Sequence, residues 1–442
     1  MLRNTATKQA ISIAWQLIDY GARVGLGAFV GILIARRLGP ENSGILNYAM
    51  ALFGIMQPIV IFGLDSTVIH QLSINTDRRR FVLGTAAAIQ FALGVFAYVS
   101  LVVVSYSLNL GSLALFTVLI VGSQLLFFSG EIAAYNLQSQ SNGQRIAIAR
   151  LSAFVVATII KLVVIESMHS ILAISLAISS EVIFASILLT MSHGKTAPSV
   201  SSWRFDRSSV GALLCSSWPI AVMSFLYVAC TQIDRVLLAK YTNPTEVGLY
   251  GASFQISGSF FFVAALISTS TLSHLANLYH EDKISYRRWL NRLFSICSFI
   301  SFALALFTTV FSEKIVTILF GTPFSNAAPI LAIHIWTNVF VFHFHIRTRN
   351  LLIEGLVHIS LILMALTLVA NLLINSMLIA KYAAMGSAWA AVISWGLGTM
   401  VFPLFFYATR HVPGDFVRSV NPFYWKGLFG SDDSLLDHNI RR

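Results

Sequence analysis

Polar breaks divide the chain into twelve apolar stretches, at residues 10–35, 44–72, 81–105, 112–138, 146–166, 170–192, 210–239, 247–275, 289–311, 326–351, 357–379 and 386–409. A run of about 20 apolar residues suffices for a helix to cross a bilayer. Period-two alternation, the signature of a membrane β-barrel, is missing. The pattern therefore predicts an all-α integral membrane protein with twelve transmembrane helices. The first run is too long for a signal peptide and has no small-residue cleavage site, so it reads as a retained helix.

The stretches group in two sixes. The most polar internal interval, HGKTAPSVSSWRFDRSS at 193–209, lies near the middle. It predicts an N-terminal six-helix lobe over 1–192 and a cytoplasmic linker over 193–209. A C-terminal six-helix lobe over 210–409 and a cytoplasmic tail over 410–442 complete the division. LIARRLGPENSGI at 33–45 aligns without gaps with LLAKYTNPTEVGL at 237–249, pairing Leu33 with Leu237, Pro40 with Pro244 and Gly44 with Gly248. Both segments join the first and second helices of their half. An even number of helices per half makes both halves enter the membrane in one direction. The expected relation is a parallel internal repeat, a plan that in transporters puts the substrate path between two bundles.

Composition removes the soluble classes. Of 442 residues, 56% are hydrophobic and 11% charged, where soluble domains carry about 25% charged residues. The mean hydropathy is +0.76. Of the 29 Lys and Arg residues, twenty-one fall on one side of the predicted topology, among them Arg78, Arg79, Arg80, Arg145, Arg150, Arg287, Arg347 and Arg410. Five, Arg36, Arg37, Lys240, Lys314 and Lys381, fall on the other, and Arg23, Lys161 and Arg235 lie inside helices. This asymmetry obeys the positive-inside rule and puts both termini in the cytoplasm. The same dispersal removes a nucleic-acid reading of the +11 net charge, and attraction to anionic lipid accounts for it.

Catalytic and cofactor signals are missing. Cys215, Cys230 and Cys297 all fall in predicted helices without metal-ligand spacing, so no disulfide, metal site or cofactor is expected. His343 and His345, two apart, face different sides of a helix, and with Arg347 they read as markers of the inner membrane surface. FGTPFSN at 320–326 lacks the lysine of a phosphate loop, and the outer loops are short. PFYWKGLF at 422–429 reads as an aromatic interfacial anchor.

Ionisable residues inside spanning helices are costly and are functional candidates by default. Asp19 and Arg23, four apart, share one helical face and read as a self-neutralising pair or as a binding site. Gly21, Gly25, Gly27 and Gly31 around them have the spacing of close helix packing. Lys161 either snorkels to the outer surface or stays inside as a fixed cation. Asp234 and Arg235 point about 100° apart and cannot simply cancel; they read as a gating contact or an interface pair. Asp65, Glu131 and Glu181 are candidate proton carriers or structural partners, Glu131 being the most interior.

GPENSGILNYAMAL, FGLDSTVIHQL and RRRFVLGTA, followed by SWPIAVMSFLYVACTQIDRVLLAK, LFGTPFSNAAPIL and NLLINSMLIAKYAAMGSAWAAVIS, resemble the Wzx-type polysaccharide flippases. That group belongs to the superfamily of the multidrug (MATE) exporters and lipid II flippases. The resemblance runs from about residue 12 to 400. It implies a two-lobe protein of the bacterial cytoplasmic (inner) membrane whose central cavity opens alternately to each side. The implied substrate is an oligosaccharide on a polyprenyl diphosphate, handed on to a polysaccharide polymerase and chain-length regulator. A proton or sodium gradient would drive it. On this view Arg23, Asp19, Lys161 and Gln90 are the candidate substrate contacts, and Asp234, Arg235 and Glu131 the candidate gating or coupling groups. Gln90 and the stretch around His70 depart from relatives, which often carry arginine there. A MATE-type exporter of cationic drugs or metabolites is the alternative reading, and a membrane polymerase or ligase a more distant one.

Overall fold

A computed structural model describes residues 2–74, 77–108, 110–168, 170–192 and 200–421, with side chains from Ile11 onward except at 13, 17 and 200. All regular structure among them is helical. In chain order the α-helices are α1 (Leu2–Ile61), α2 (Leu64–Ile74), α3 (Arg79–Ser107), α4 (Ser112–Gly122), α5 (Glu131–Ser139), α6 (Gly143–Ser167), α7 (Ile171–Met191) and α8 (Arg207–Tyr241). They continue as α9 (Pro244–Ser259), α10 (Phe261–Glu281), α11 (Lys283–Phe320), α12 (Ala327–His334), α13 (Thr337–Ile353), α14 (Val357–Met400) and α15 (Val412–Val420). A 3-10 stretch, Ser123–Gly130, joins α4 to α5. Among the described residues, ten helical stretches are long and apolar enough to cross a membrane, which makes the chain a multi-pass membrane protein. Two compact units divide it, Met1–Val236 and Leu237–Arg442.

Two of the ten stretches are too long for one crossing. Ala14–Ile74 has 61 residues, about 90 Å if straight at 1.5 Å per residue, against a hydrocarbon core of about 30 Å. It is broken at Gly39, whose φ of 73° and ψ of 173° only glycine adopts cheaply. Pro40 then opens the next helix, and the residue before a proline is pushed to extended ψ. The aligned position in the second half behaves alike. Asn243, with ψ 165°, precedes Pro244 and caps α9 by accepting a hydrogen bond from the Glu246 amide.

Val357–Phe405 is broken at Ala383, which holds φ 48° and ψ −130°. Such a conformation costs about 1–3 kcal/mol. The Glu246 carboxylate offsets part of it by accepting from the Ala384 amide at 3.1 Å. In the first unit, Arg37 likewise reaches Glu166 at the end of α6, at 2.6 Å. Each of these contacts ties the sequence around one member of the aligned pair, Pro40 or Pro244, to a later helix end or helix break in its own unit.

The segments flanking Ala383 are sewn together by small and polar residues. Asn371 donates to Ser394 at 3.1 Å, Asn375 to the Asn371 side chain at 3.1 Å, and Ser387 to Asn375 at 2.8 Å. All four are fully buried. Within a membrane such bonds contribute about 0.6 kcal/mol each.

The second part of the polar interval is no free linker. Arg204 donates its amide to the Arg80 carbonyl at 3.1 Å, and Asp206 to the Thr85 hydroxyl at 2.9 Å. A Cβ on Gly84 would lie 2.4 Å from the Arg204 carbonyl oxygen, so only glycine seats this strap. Trp203 packs against two buried clusters, one that includes Leu83, Ile132 and Leu213 and another that includes Ile146, Ala149 and Leu189. Asp206 accepts from the Ser208 amide and from Ser208 and Ser209 hydroxyls, which together hold its carboxyl below the usual range. Residues 193–199 and the expected anchor at 422–429 lie outside the described residues. Of the expected tail, α15 packs into the second unit, with Phe416 stacked on Phe340 and Ser419 3.0 Å from the His343 Nε2.

His343 and Arg347 lie inside the packed helices, 2% exposed each. Arg347 donates to the Gly398 carbonyl at 2.6 Å and lies over the Phe344 ring. The packing pattern predicts that Gly386→Ala and Gly25→Ala differ sharply. A Cβ at Gly386 would meet the Leu378 carbonyl at 2.3 Å, whereas one at Gly25 meets nothing within 4 Å. Gly386→Ala should cost about 1–3 kcal/mol through overpacking, read as a lower melting temperature of the purified protein. Gly25→Ala should melt like the parent.

Candidate functional site

On α1, α5, α6 and α7 of the first unit, Arg23 pairs with Asp19, Arg150 with Glu131 and Lys161 with Glu181. Asp19 and Arg23, one turn apart on α1, form a bidentate pair. Arg23 Nε donates to Oδ1 at 2.9 Å and Nη2 to Oδ2 at 3.0 Å. The Asp19 side chain is 3% exposed and that of Arg23 29%. Two of the five guanidinium N–H groups are used on Asp19, and the other three stand on the exposed edge of the fork. Gly21 and Gly25 border this face with open space, which corrects the expectation that they close a helix–helix contact. Gly27 meets only the Phe154 ring, at 3.9 Å. Four-residue spacing puts glycines on one face but does not determine what lies opposite.

Arg150 on α6 pairs with Glu131 at the start of α5. The charge distribution puts Arg150 with the cytoplasmic-side cations, although it falls inside the apolar run at 146–166. The helix starts at Gly143, so Arg150 lies two turns inside, within electrostatic reach of Asp19 as well. Tyr135, one turn beyond Glu131, lies in the fields of Glu131, Asp65 and Arg150. Gln90 of α3 is fully buried beside Tyr135, its amide without a well-formed hydrogen bond among the described residues. Asp19, Arg23, Gln90 and Glu131 are therefore brought into one region by two residues not foreseen, Arg150 and Tyr135.

Lys161 lies eleven residues, or three turns, beyond Arg150 on the same face of α6. That spacing was the signal available in the sequence. Its ammonium reaches Glu181 of α7 at 2.5 Å and lies 5.9 Å above the Phe154 ring. With the side chain 8% exposed, Lys161 points inward and does not snorkel. Asp234 and Arg235 on α8 are buried too, 2% and 6% exposed. Arg235 donates to Gln232 on its own helix, whose side chain covers Gly54.

This arrangement can hold an anion at the open edge of Arg23, and it can exchange protons or cations with carboxylates that already balance cations. Among the described residues, no group of three His, Cys, Asp or Glu side chains fits a metal ion.

Because the pair is shielded, removing one partner leaves an uncompensated charge. Glu181→Gln should destabilise the protein by roughly 2 kcal/mol, less than a fully buried pair since Glu181 is partly exposed. The double variant Lys161→Met/Glu181→Leu should recover most of that loss. Thermal unfolding of the purified variants checks this, and a Glu181→Gln variant as stable as the parent would contradict it.

The capsular polysaccharide biosynthesis protein CapF of Staphylococcus aureus is 22% identical over 372 residues, which is 83% of this chain and 91% of CapF. Two solved structures share the fold. The lipid II flippase MurJ in an inward closed conformation superposes with a TM-score of 0.71 at 16% identity, over 92% of this chain and 90% of MurJ. An inward-facing multidrug resistance MATE family transporter of the MOP superfamily gives 0.69 at 11% identity, over 93% of this chain and 100% of that one. The family described as polysaccharide biosynthesis protein matches residues 33–329, two thirds of the sequence, and the chain belongs to that family.

Proposed function

We propose that this protein is a flippase that carries a polyprenyl-diphosphate-linked oligosaccharide across the bacterial cytoplasmic membrane for cell-surface polysaccharide synthesis. The carrying observation is the partly exposed fork of Arg23, held on one edge by the buried Asp19. An arginine fork matches phosphate geometry bidentately, and its position on the first helix borders an open, glycine-lined face. The polysaccharide family, the capsular relative and the fold shared with a lipid II flippase support the substrate class.

The breaks at Gly39 and Ala383 turn ten apolar stretches into twelve crossings, in two six-helix halves with both termini cytoplasmic. The matching contacts of Arg37 with Glu166 and of Glu246 with Ala384 support a repeated plan. The headgroup would follow a hydrated path along α1 while its lipid tail stays in the bilayer. Asp19 orients the Arg23 fork and is one group through which a proton or sodium gradient would act. Glu131, with Arg150 beside Asp19, is the second group through which a proton or sodium gradient would act. Asp234 and Arg235 serve as gating residues and Lys161 as a fixed cation toward the other end of the path.

A second reading is favoured by one feature: four carboxylates, Asp19, Asp65, Glu131 and Glu181, accompany three cations, Arg23, Arg150 and Lys161. Such a surplus of acid would suit a cationic cargo, as in an exporter of drugs or metabolites.

In vesicles containing the purified protein, Arg23→Ala should slow headgroup translocation of a lipid-linked oligosaccharide at least tenfold. Arg23→Lys, which keeps the charge but loses the fork, should fall between. Undiminished translocation by well-inserted Arg23→Ala protein would sink the assignment of Arg23.

A further inference from the structure

The described surface of the first unit carries a groove unrelated to the charged cluster, of about 400 Å³, between α6 and α7. Ligand pockets begin at about 300 Å³, so the space is sufficient for part of a small molecule. Arg145, Ile148, Ala149 and Ser152 form one wall, the i, i+3, i+4, i+7 stripe of α6. Leu188, Met191 and Ser192 form the other, the last turn of α7. Ile148 is 51% and Met191 73% exposed, and the apolar stripe continues along α6 through Val155, Ile159 and Val163. From Ile148 to Val163 it runs about 22 Å. Both helices are membrane-spanning stretches, so this face meets hydrocarbon.

The mouth of the groove is polar and basic. Arg145 is exposed and has no acidic partner among the described residues. The strap through Trp203 packs against the same end of α6 and α7, near Ala149 and Leu189, and it ties Arg204 to Arg80. Arg78, Arg80, Arg204 and Arg207 are exposed around it. A basic pocket between transmembrane helices at the membrane surface is the chemistry that recognises an anionic lipid headgroup.

We infer that this groove is a binding site for an anionic phospholipid. Its phosphate sits on Arg145 at the Ser192 end of α7, and one acyl chain lies along Ile148, Leu188 and the Val155–Ile159 stripe. The opposite face of α6 carries Arg150 and Lys161, so the bound lipid backs the helix that presents both internal cations.

Native mass spectrometry and thermal unfolding of the full-length protein, with phosphatidylglycerol or phosphatidylcholine added to the detergent, test this. The parent should retain one phosphatidylglycerol in preference to phosphatidylcholine and melt several degrees higher with it. Arg145→Gln, a surface change, should lower retention at least fivefold and remove the extra stabilisation. Ile148→Trp, which fills the groove, should do the same, whereas Arg410→Gln, a basic residue elsewhere, should change neither. Equal retention of the two lipids by the parent would overturn the inference, as would an undiminished phosphatidylglycerol effect in Arg145→Gln. Displacement of the bound phosphatidylglycerol by polyprenyl phosphate at equal concentration would also overturn it, by assigning the groove to the carrier lipid.

Discussion

Burying a charge away from water costs several kcal/mol unless another charge and good hydrogen bonds compensate it. The first unit is arranged around that constraint. Arg23, Arg150 and Lys161 each enter the helical bundle with a carboxylate, Asp19, Glu131 and Glu181. One pair closes within a helix and the other two between helices. The pairing keeps these charges tolerable in the bilayer and leaves few cationic N–H groups free for an anionic cargo. Arg23 keeps one edge of its fork open, since its carboxylate occupies only the other.

The second unit meets the same constraint with neutral groups. Asn371, Asn375, Ser387 and Ser394 satisfy one another across the Ala383 break. His343 sits between the Val339 carbonyl and the Ser298 and Ser419 hydroxyls. Arg347 donates to a backbone carbonyl, with an aromatic face in place of an acid. Ion chemistry is therefore concentrated in the first unit, and the neutral zipper in the second gives rigidity at a kinked connection.

Several features were legible in the sequence for physical reasons. A proline fixes its own φ and pushes the preceding residue to extended backbone, so Pro40 and Pro244 mark matching helix starts. The i, i+4 spacing of Asp19 and Arg23 predicted their contact directly. Other features were hidden because sequence spacing reports a face and not its neighbour. Gly21 and Gly25 read as packing glycines but border open space. Arg150 and Arg347 read as cytoplasmic-side cations although both fall inside apolar runs, and the packed helices hold each on an internal partner, Glu131 and the Gly398 carbonyl. The strap at 203–206 read as linker because it is polar, yet its backbone and Trp203 are fixed on α3 by Thr85 and the missing side chain of Gly84.

What the account claims above all is that an anionic lipid-linked sugar, and not a cationic solute, is the cargo. Proteoliposomes containing only this protein, loaded in parallel assays with a fluorescent polyprenyl-diphosphate oligosaccharide or a cationic dye, address that claim most directly. The account predicts that the oligosaccharide headgroup reaches the opposite leaflet at a rate that rises with an imposed proton or sodium gradient, while the dye stays in place. Gradient-driven movement of the dye with no movement of the headgroup would contradict it.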